Sequence, residues 1–209
     1  MSELVILGLP PSSYVRTALM VCENKGVNVR LQMVNFRDPD YRQHHPFARM
    51  PVLQHGDVTL YEALAIAVYI DEAFEGPSLQ PTTPVDRARM MQWISVINEY
   101  VYESVVRSCV SERVIKPMRS LAPDEAVIEA ALPEIVRCLD VLADALAEGP
   151  YLCGEQLTLA DLFLAPIMAY FSITPEGRTM LPDRPALGAW MSRMEDTPNY
   201  FKVNFMSTD

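Results

Sequence analysis

The chain has 209 residues, half of them apolar, with a net charge of −10 at pH 7 and an isoelectric point near 4.8. That length and apolar content suit one or two compact units with a real core, while the acidic balance repels nucleic-acid backbones and anionic membrane surfaces on average. Cys22, Cys109, Cys138 and Cys153 are scattered without Cys-x-x-Cys or Cys/His ligand spacing, which argues against a disulfide scaffold or structural zinc and suits a reduced compartment.

The opening run, Met1 to Gly8, lacks a basic leader and is too short in apolar residues for a signal peptide, so a cytoplasmic protein is expected. Leu4 to Leu9 is a continuous apolar run ending at Pro10-Pro11, the pattern of a strand buried on both faces. Val15, Ala18, Leu19 and Cys22 then fall at helical spacing, with Ser12 or Ser13 as N-cap and Gly26 where a C-terminal glycine belongs. Asn28 to Asn35 alternates as a second strand, and a right-handed crossover makes the first two strands parallel. Asp38 to Phe47 is a polar, irregular or weakly helical connection.

Val52 to Gln54 and Val58 to Leu60, joined at His55-Gly56, read as an antiparallel hairpin, and Leu64 to Phe74 as the next helix. The order βαβ then ββα is that of a thioredoxin-like α/β domain, placed at residues 1–76. From about residue 84 to 209 no strand is expected, and the remainder reads as an all-helical domain. A helix over Pro84 to Val114 carries Met91, Ile94 and Val105 on one side and Trp93, Ile97 and Tyr100 on another, so it must meet more than one partner. Ala126 to Glu148 is a second long helix, stopped at Gly149-Pro150. Thr158 with Asp161 three residues on forms a capping box ahead of the apolar run from Leu162 to Ile173, which is too short to span a bilayer and contains Pro166. Shorter helices are expected over Pro185 to Glu195 and Asn199 to Phe205.

Two stretches carry the functional reading. Pro46-Phe47-Ala48-Arg49-Met50-Pro51-Val52-Leu53, a hairpin, and then Leu60-Tyr61-Glu62-Ala63 at a helix start resemble the glutathione-binding half of the glutathione transferase family. The capping box at Thr158 and Asp161 resembles the motif that opens the central helix of that family's helical domain. On local chemistry alone Met50-Pro51 is an ordinary trans bond before a strand. The resemblance implies a cis bond instead, with the main chain of Met50 holding the cysteinyl part of glutathione, Glu62 and Ala63 holding its γ-glutamyl end, and Arg49 pairing with a carboxylate of the peptide.

The same resemblance implies a hydroxyl or thiol near the first helix start that meets the glutathione sulfur. Strand one has no tyrosine, and no cysteine precedes Cys22, which leaves the serine class. Pro11-Ser12-Ser13-Tyr14-Val15-Arg16 looks like the serine-class pattern, with Ser12 as the functional serine and Ser13 as the alternative. Ser12 is equally suited to cap the helix, and the two roles coexist because capping uses an oxygen lone pair and leaves the hydroxyl proton to donate. Glu62 as a lone residue is a helix-start acid; within the Pro51 pattern it is a ligand. Position 63 departs from the family, where serine is usual. His44, His45 and His55 lack acidic or cysteine partners at ligand spacing, so no metal is expected, and His45 stands where the family often has asparagine.

A second-substrate pocket is implied where the long helix faces the serine, with Tyr102, Val105, Val106 and Cys109 as candidate lining residues; these are equally good core residues. Apolar lining points to a hydrophobic electrophile. The expected activity is transfer of glutathione, as co-substrate, to that electrophile. Isomerisation, dehalogenation and peroxide reduction use the same thiolate, and a binding or regulatory protein without turnover is the alternative from another class. The resemblance also implies a homodimer.

Overall fold

A computed structural model describes residues 3–197 of the chain. They form two compact units, one ending at Leu79 and one spanning Gln80–Asp196. The expected helix at Asn199 to Phe205 lies outside the described residues.

The first unit is a four-stranded sheet in the order β2-β1-β3-β4, with β1 at Leu4–Gly8, β2 at Val29–Met33, β3 at Val52–His55 and β4 at Val58–Tyr61. β1 and β2 are parallel, joined by α1 at Ser13–Lys25, whereas β1 with β3 and β3 with β4 are antiparallel. β1 is buried throughout, whereas the positions of β2 and β4 are exposed or half-exposed. Helices α1 and α2, the latter at Ala63–Ala73, pack on each other. Val5, Leu7 and Val52 form a cluster with Tyr41, against which Val34, Phe36 and Ala48 of the connection pack.

Gly8 ends β1 where a Cβ would stand 2.4 Å from a Val15 methyl, so its lack of a side chain is what lets α1 approach the strand. Gly26 closes α1 in the left-handed conformation (φ 68°). The neighbouring Lys25 is buried. Its Nζ donates to Asp71 Oδ1 at 3.1 Å and to the carbonyls of Gly76 and Pro77 at 3.4 and 3.0 Å, while Asp71 Oδ1 also accepts from the Leu79 N–H at 3.0 Å. A buried ion pair whose remaining donors and acceptors are satisfied is costly to break from one side. Here it ties the end of α1 to α2 and to the chain beyond, which is why the first unit continues to Leu79.

The second unit is helical. α3 covers Pro84–Val96, with Thr83 Oγ1 accepting from the Asp86 N–H. The helical path then widens to i→i+5 hydrogen bonding over Ile97–Ile115 and ends in one turn, α4, at Lys116–Met118. An uninterrupted α-helix over this stretch was the expectation. The buried positions Ile97, Val101, Val105 and Cys109 recur every four residues along this stretch, which packs on α5 and α6. Met91 and Tyr100, expected on packed faces, are exposed.

α5 spans Glu125–Ala147, α6 Leu159–Ser172, α7 Pro175–Met180 and α8 Pro185–Glu195. α6 is the centre of this unit, buried from Leu159 through Met168. Its start is fixed by Asp161, which is fully buried. The carboxylate accepts from the N–H and the hydroxyl of Thr158, each at 2.9 Å, from the Leu152 N–H at 2.9 Å and from Trp190 Nε1 of α8 at 3.0 Å. Burial pushes its pKa up, and the four donors oppose that by favouring the anion. Arg113 bridges Glu125 of α5 and Glu176 of α7 at 2.6 and 2.7 Å. Among the described residues no helix is long and apolar enough to cross a membrane.

Candidate active site

The strand register gathers the predicted residues at one end of the sheet. Leu7 pairs with Val52 and Val52 with Tyr61, so the C-terminal end of β1, the N-terminal end of β3 and the C-terminal end of β4 lie side by side. The turn carrying Ser12 follows β1, Met50-Pro51 precedes β3, and Glu62-Ala63 follows β4. Three segments distant in sequence thus converge.

Ser12 is the N-cap of α1, with extended backbone (φ −75°, ψ 123°) and its Oγ accepting from the Val15 N–H at 3.4 Å. Against a usual 2.9–3.0 Å for such bonds, this cap is long. The Ser12 side chain is half-exposed, whereas Ser13 is buried and starts the helix, its carbonyl accepting from Thr17 Oγ1. Of the two serines, Ser12 is the one that keeps exposed surface. The turn before it is held by Arg16, a buried side chain whose Nε donates to the Pro10 carbonyl at 2.9 Å. The sequence pattern contains Arg16, but its inward direction is a product of folding.

Met50-Pro51 is cis. Local chemistry favours trans, and the resemblance implied cis. The buried Tyr41 donates its hydroxyl to the Arg49 carbonyl at 3.0 Å, and the Ala48 N–H donates to the His45 carbonyl at 2.8 Å. These two bonds fix the main chain entering Met50. Arg49 itself is an exposed residue. Ala48 adopts φ 49° and Glu62 φ 71°, left-handed values that cost a side chain about 1–2 kcal/mol. Such strain persists only where the surroundings impose it, and it gathers at ligand sites.

At Glu62 the chain turns sharply from β4 into α2. No side chain caps this helix, Ala63 is nearly buried, and the Glu62 carboxylate stands 63% exposed. A helix start with its main-chain donors uncapped attracts a carboxylate, and a neighbouring exposed acid attracts an ammonium group. The pair suits a zwitterionic amino-acid end.

Of the four cysteines, Cys22, Cys109 and Cys138 are buried and Cys153 is half-buried. Burial pushes the Cys22 and Cys109 thiols up to about 12, and burial raises Cys138 and Cys153 as well. Of the candidate lining residues in the helical unit, Val105 and Cys109 are fully buried, and Cys109 Sγ lies 3.6 Å from Glu176 Oε2. Tyr102 and Val106 retain exposed surface, with the Arg107 guanidinium 5.5 Å from the Tyr102 ring centre. The histidines part company: His55 bonds the Tyr69 hydroxyl at 2.8 Å, His44 lies against Tyr41, and His45 is buried beside Tyr61. Among the described residues no group of three or more His, Cys, Asp or Glu side chains gathers to hold an ion.

Comparison with known proteins covers both units. Residues 11–73 match the family model of the glutathione S-transferase N-terminal domain, and residues 125–193 that of the C-terminal domain. Glutathione S-transferase 3 of Zea mays is 30% identical across 97% of this chain and 94% of its own, and glutathione S-transferase F6 of Arabidopsis thaliana is 28% identical across 97% and 100%. Among solved structures, glutathione S-transferase III in apo form has a TM-score of 0.88 at 30% identity, covering 97% of this chain and 95% of that one. The theta class enzyme of the citrus canker pathogen Xanthomonas axonopodis pv. citri, solved with glutathione bound, has a TM-score of 0.87 at 29% identity over 100% of both chains. With both domains matched in order and the relatives spanned nearly end to end, the chain belongs to the glutathione S-transferase family.

Proposed function

We propose that this protein conjugates glutathione to a hydrophobic electrophile, with the Ser12 hydroxyl donating to the glutathione thiolate. The observation that carries this is the convergence of Ser12, the cis Met50-Pro51 bond and the strained Glu62-Ala63 turn at one end of the sheet. Each holds a different part of the tripeptide. The Met50 main chain pairs with the cysteinyl unit, the start of α2 takes the γ-glutamyl carboxylate, Glu62 takes its ammonium group and Arg49 reaches a carboxylate. The related theta class enzyme was solved with glutathione bound.

The magnitudes agree. A thiol of pKa near 8.5 is about 3% ionised at pH 7, and lowering it by two units needs roughly 2.7 kcal/mol of thiolate stabilisation. A hydrogen bond to a charged acceptor supplies about 1.5–3 kcal/mol, and the N-terminus of α1 adds about 0.3–1. Beyond deprotonation, holding thiolate and electrophile together accounts for much of the rate. Tyr102 and Val106 are the helical unit's candidates for contact with the electrophile. A cytoplasmic homodimer with a glutathione domain at residues 1–76 and a helical domain at 84–209 completes the reading.

Ala63 favours the second reading, a binding or regulatory protein that keeps the fold without turnover, since it lacks the hydroxyl usual at this position. Retention on glutathione-agarose together with an aryl halide conjugation assay separates the two. Retention with turnover supports the enzyme, whereas the absence of both supports the binding or regulatory protein and overturns the conjugation reading.

A further inference from the structure

His45 is almost wholly buried, yet it is the only charged or chargeable partner that lies close to the Glu62 carboxylate among the described contacts, with Nε2 at 3.9 Å from Oε1. Its other nitrogen, Nδ1, accepts from the Phe47 N–H at 3.2 Å. A main-chain N–H can only donate, so in the neutral ring Nδ1 is bare and the hydrogen resides on Nε2, facing Glu62. The Tyr61 ring, 4.9 Å away centre to centre, covers the imidazole, and the Phe47 ring stands edge-on at 6.2 Å. Imidazole orientation is therefore fixed from three sides.

We propose that His45 is a positioning residue for Glu62, holding its carboxylate toward the ammonium group of glutathione while the ring is neutral and withdrawing it when the ring is charged. This rests on the glutathione reading of the site. At 3.9 Å the neutral contact is too long for a direct hydrogen bond, so it steers the carboxylate without occupying its lone pairs. A charged ring changes three things together. Glu62 closes on it as an ion pair, the ligand's ammonium meets a like charge, and a new Nδ1–H opposes the Phe47 N–H in the turn leading to Met50.

The groups acting on the ring are few. Burial disfavours its charged form most, Glu62 favours it, and Arg49 disfavours it. The net direction is a pKa below the ordinary 6.5, so at neutral pH the ring is in its steering form. Asparagine, usual at this place in the family, can accept from the Phe47 N–H but cannot become charged. His45 thus adds a pH response that an asparagine could not give.

Calorimetric titration with S-methylglutathione tests this, because that probe keeps the γ-glutamyl end and has no thiol to titrate. Between about pH 7.5 and 5, the wild-type dissociation constant should rise about three- to tenfold, since ligand binding and ring protonation oppose each other. His45→Asn and Glu62→Gln should each bind with a dissociation constant that changes less than about twofold over the same range, because one lacks the titrating ring and the other the carboxylate it captures. A flat wild-type profile, or the wild-type slope retained in both variants, would overturn the proposal while leaving the glutathione site in place. No binding by the wild-type protein at about pH 7.5 would overturn the glutathione reading and this proposal together. His45→Asn that fails to fold leaves Glu62→Gln and the wild-type profile to decide.

Discussion

Asp161→Ala removes the acceptor on which four donors converge in the helical unit. Three of them, the Leu152 and Thr158 N–H groups and Trp190 Nε1, have no rotation that could find another partner. Each buried donor left unsatisfied costs about 1–3 kcal/mol. A water in the space vacated by the carboxylate recovers part of that, so about 3–4 kcal/mol is expected for the set. An ordinary exposed N-cap substitution costs about 1. Asp161→Asn retains one oxygen and turns an amide N–H₂ toward the remaining donors, so about 2 kcal/mol is expected. In urea, with a slope of about 2 kcal/mol per molar, the alanine variant's midpoint should fall by about 1.5–2 M. Tryptophan emission is a direct probe, because Trp190 itself donates to the lost carboxylate. A loss below about 1 kcal/mol at unchanged slope would refute the four-donor account and reduce Asp161 to a simple cap.

The remaining perturbations separate chemistry from folding. Ser12→Ala should lower conjugation near pH 7 by an amount worth about 1.5–3 kcal/mol, with a smaller loss at about pH 9 where free thiolate is abundant, and Ser13→Ala should do far less; the reverse order in a pH-rate series would move the assignment by one residue. Ala63→Ser should tighten glutathione about fivefold in calorimetry by adding a donor at the start of α2, and an unchanged affinity with intact fold would remove Glu62-Ala63 from the γ-glutamyl site. His45 has its pKa lowered by burial, so its contribution to stability is present above the unfolded value of about 6.5 and is lost as pH falls from there through the lower folded value. The wild-type melting temperature should therefore decline over that window more steeply than that of His45→Asn; parallel curves would count against it. Gly8→Ala puts a methyl within 2.4 Å of Val15 and should cost about 1–3 kcal/mol in a denaturant titration.

How far the sequence carried this reading depends on the range of each signal. The strand and helix order follows from local apolar periodicity, and β1, α1 and the hairpin stand within a residue or two of where that periodicity puts them. The α6 start was legible because Thr158 and Asp161 are three residues apart, the spacing a capping box needs. Its other partners were not: Trp190 lies 29 residues from Asp161, and only packing of α8 on α6 brings it there. Lys25 and Asp71 are 46 residues apart, and only the fold buries them together. In the site, Ser12, Pro51 and Glu62 were found through motif resemblance, since each alone is an ordinary cap, strand-start or helix-start residue. Tyr41 carried no such signal, and His45 was marked only as standing where the family often has asparagine. Their roles come from the connection folding back over Val5, Leu7 and Val52 and from the turn at residues 45–48, neither of which has a periodic pattern. The widened helix over Ile97–Ile115 was missed because its apolar residues satisfy a 3.6-residue period well enough to read as an ordinary helix.

The central claim is that this fold ionises glutathione through Ser12, and the ultraviolet absorbance of the bound thiolate followed against pH measures that ionisation directly. The wild-type complex should titrate about two units below the free thiol, and the Ser12→Ala complex close to the free value. A bound thiol that titrates as it does in solution, or one whose depressed pKa survives loss of the Ser12 hydroxyl, would contradict the account.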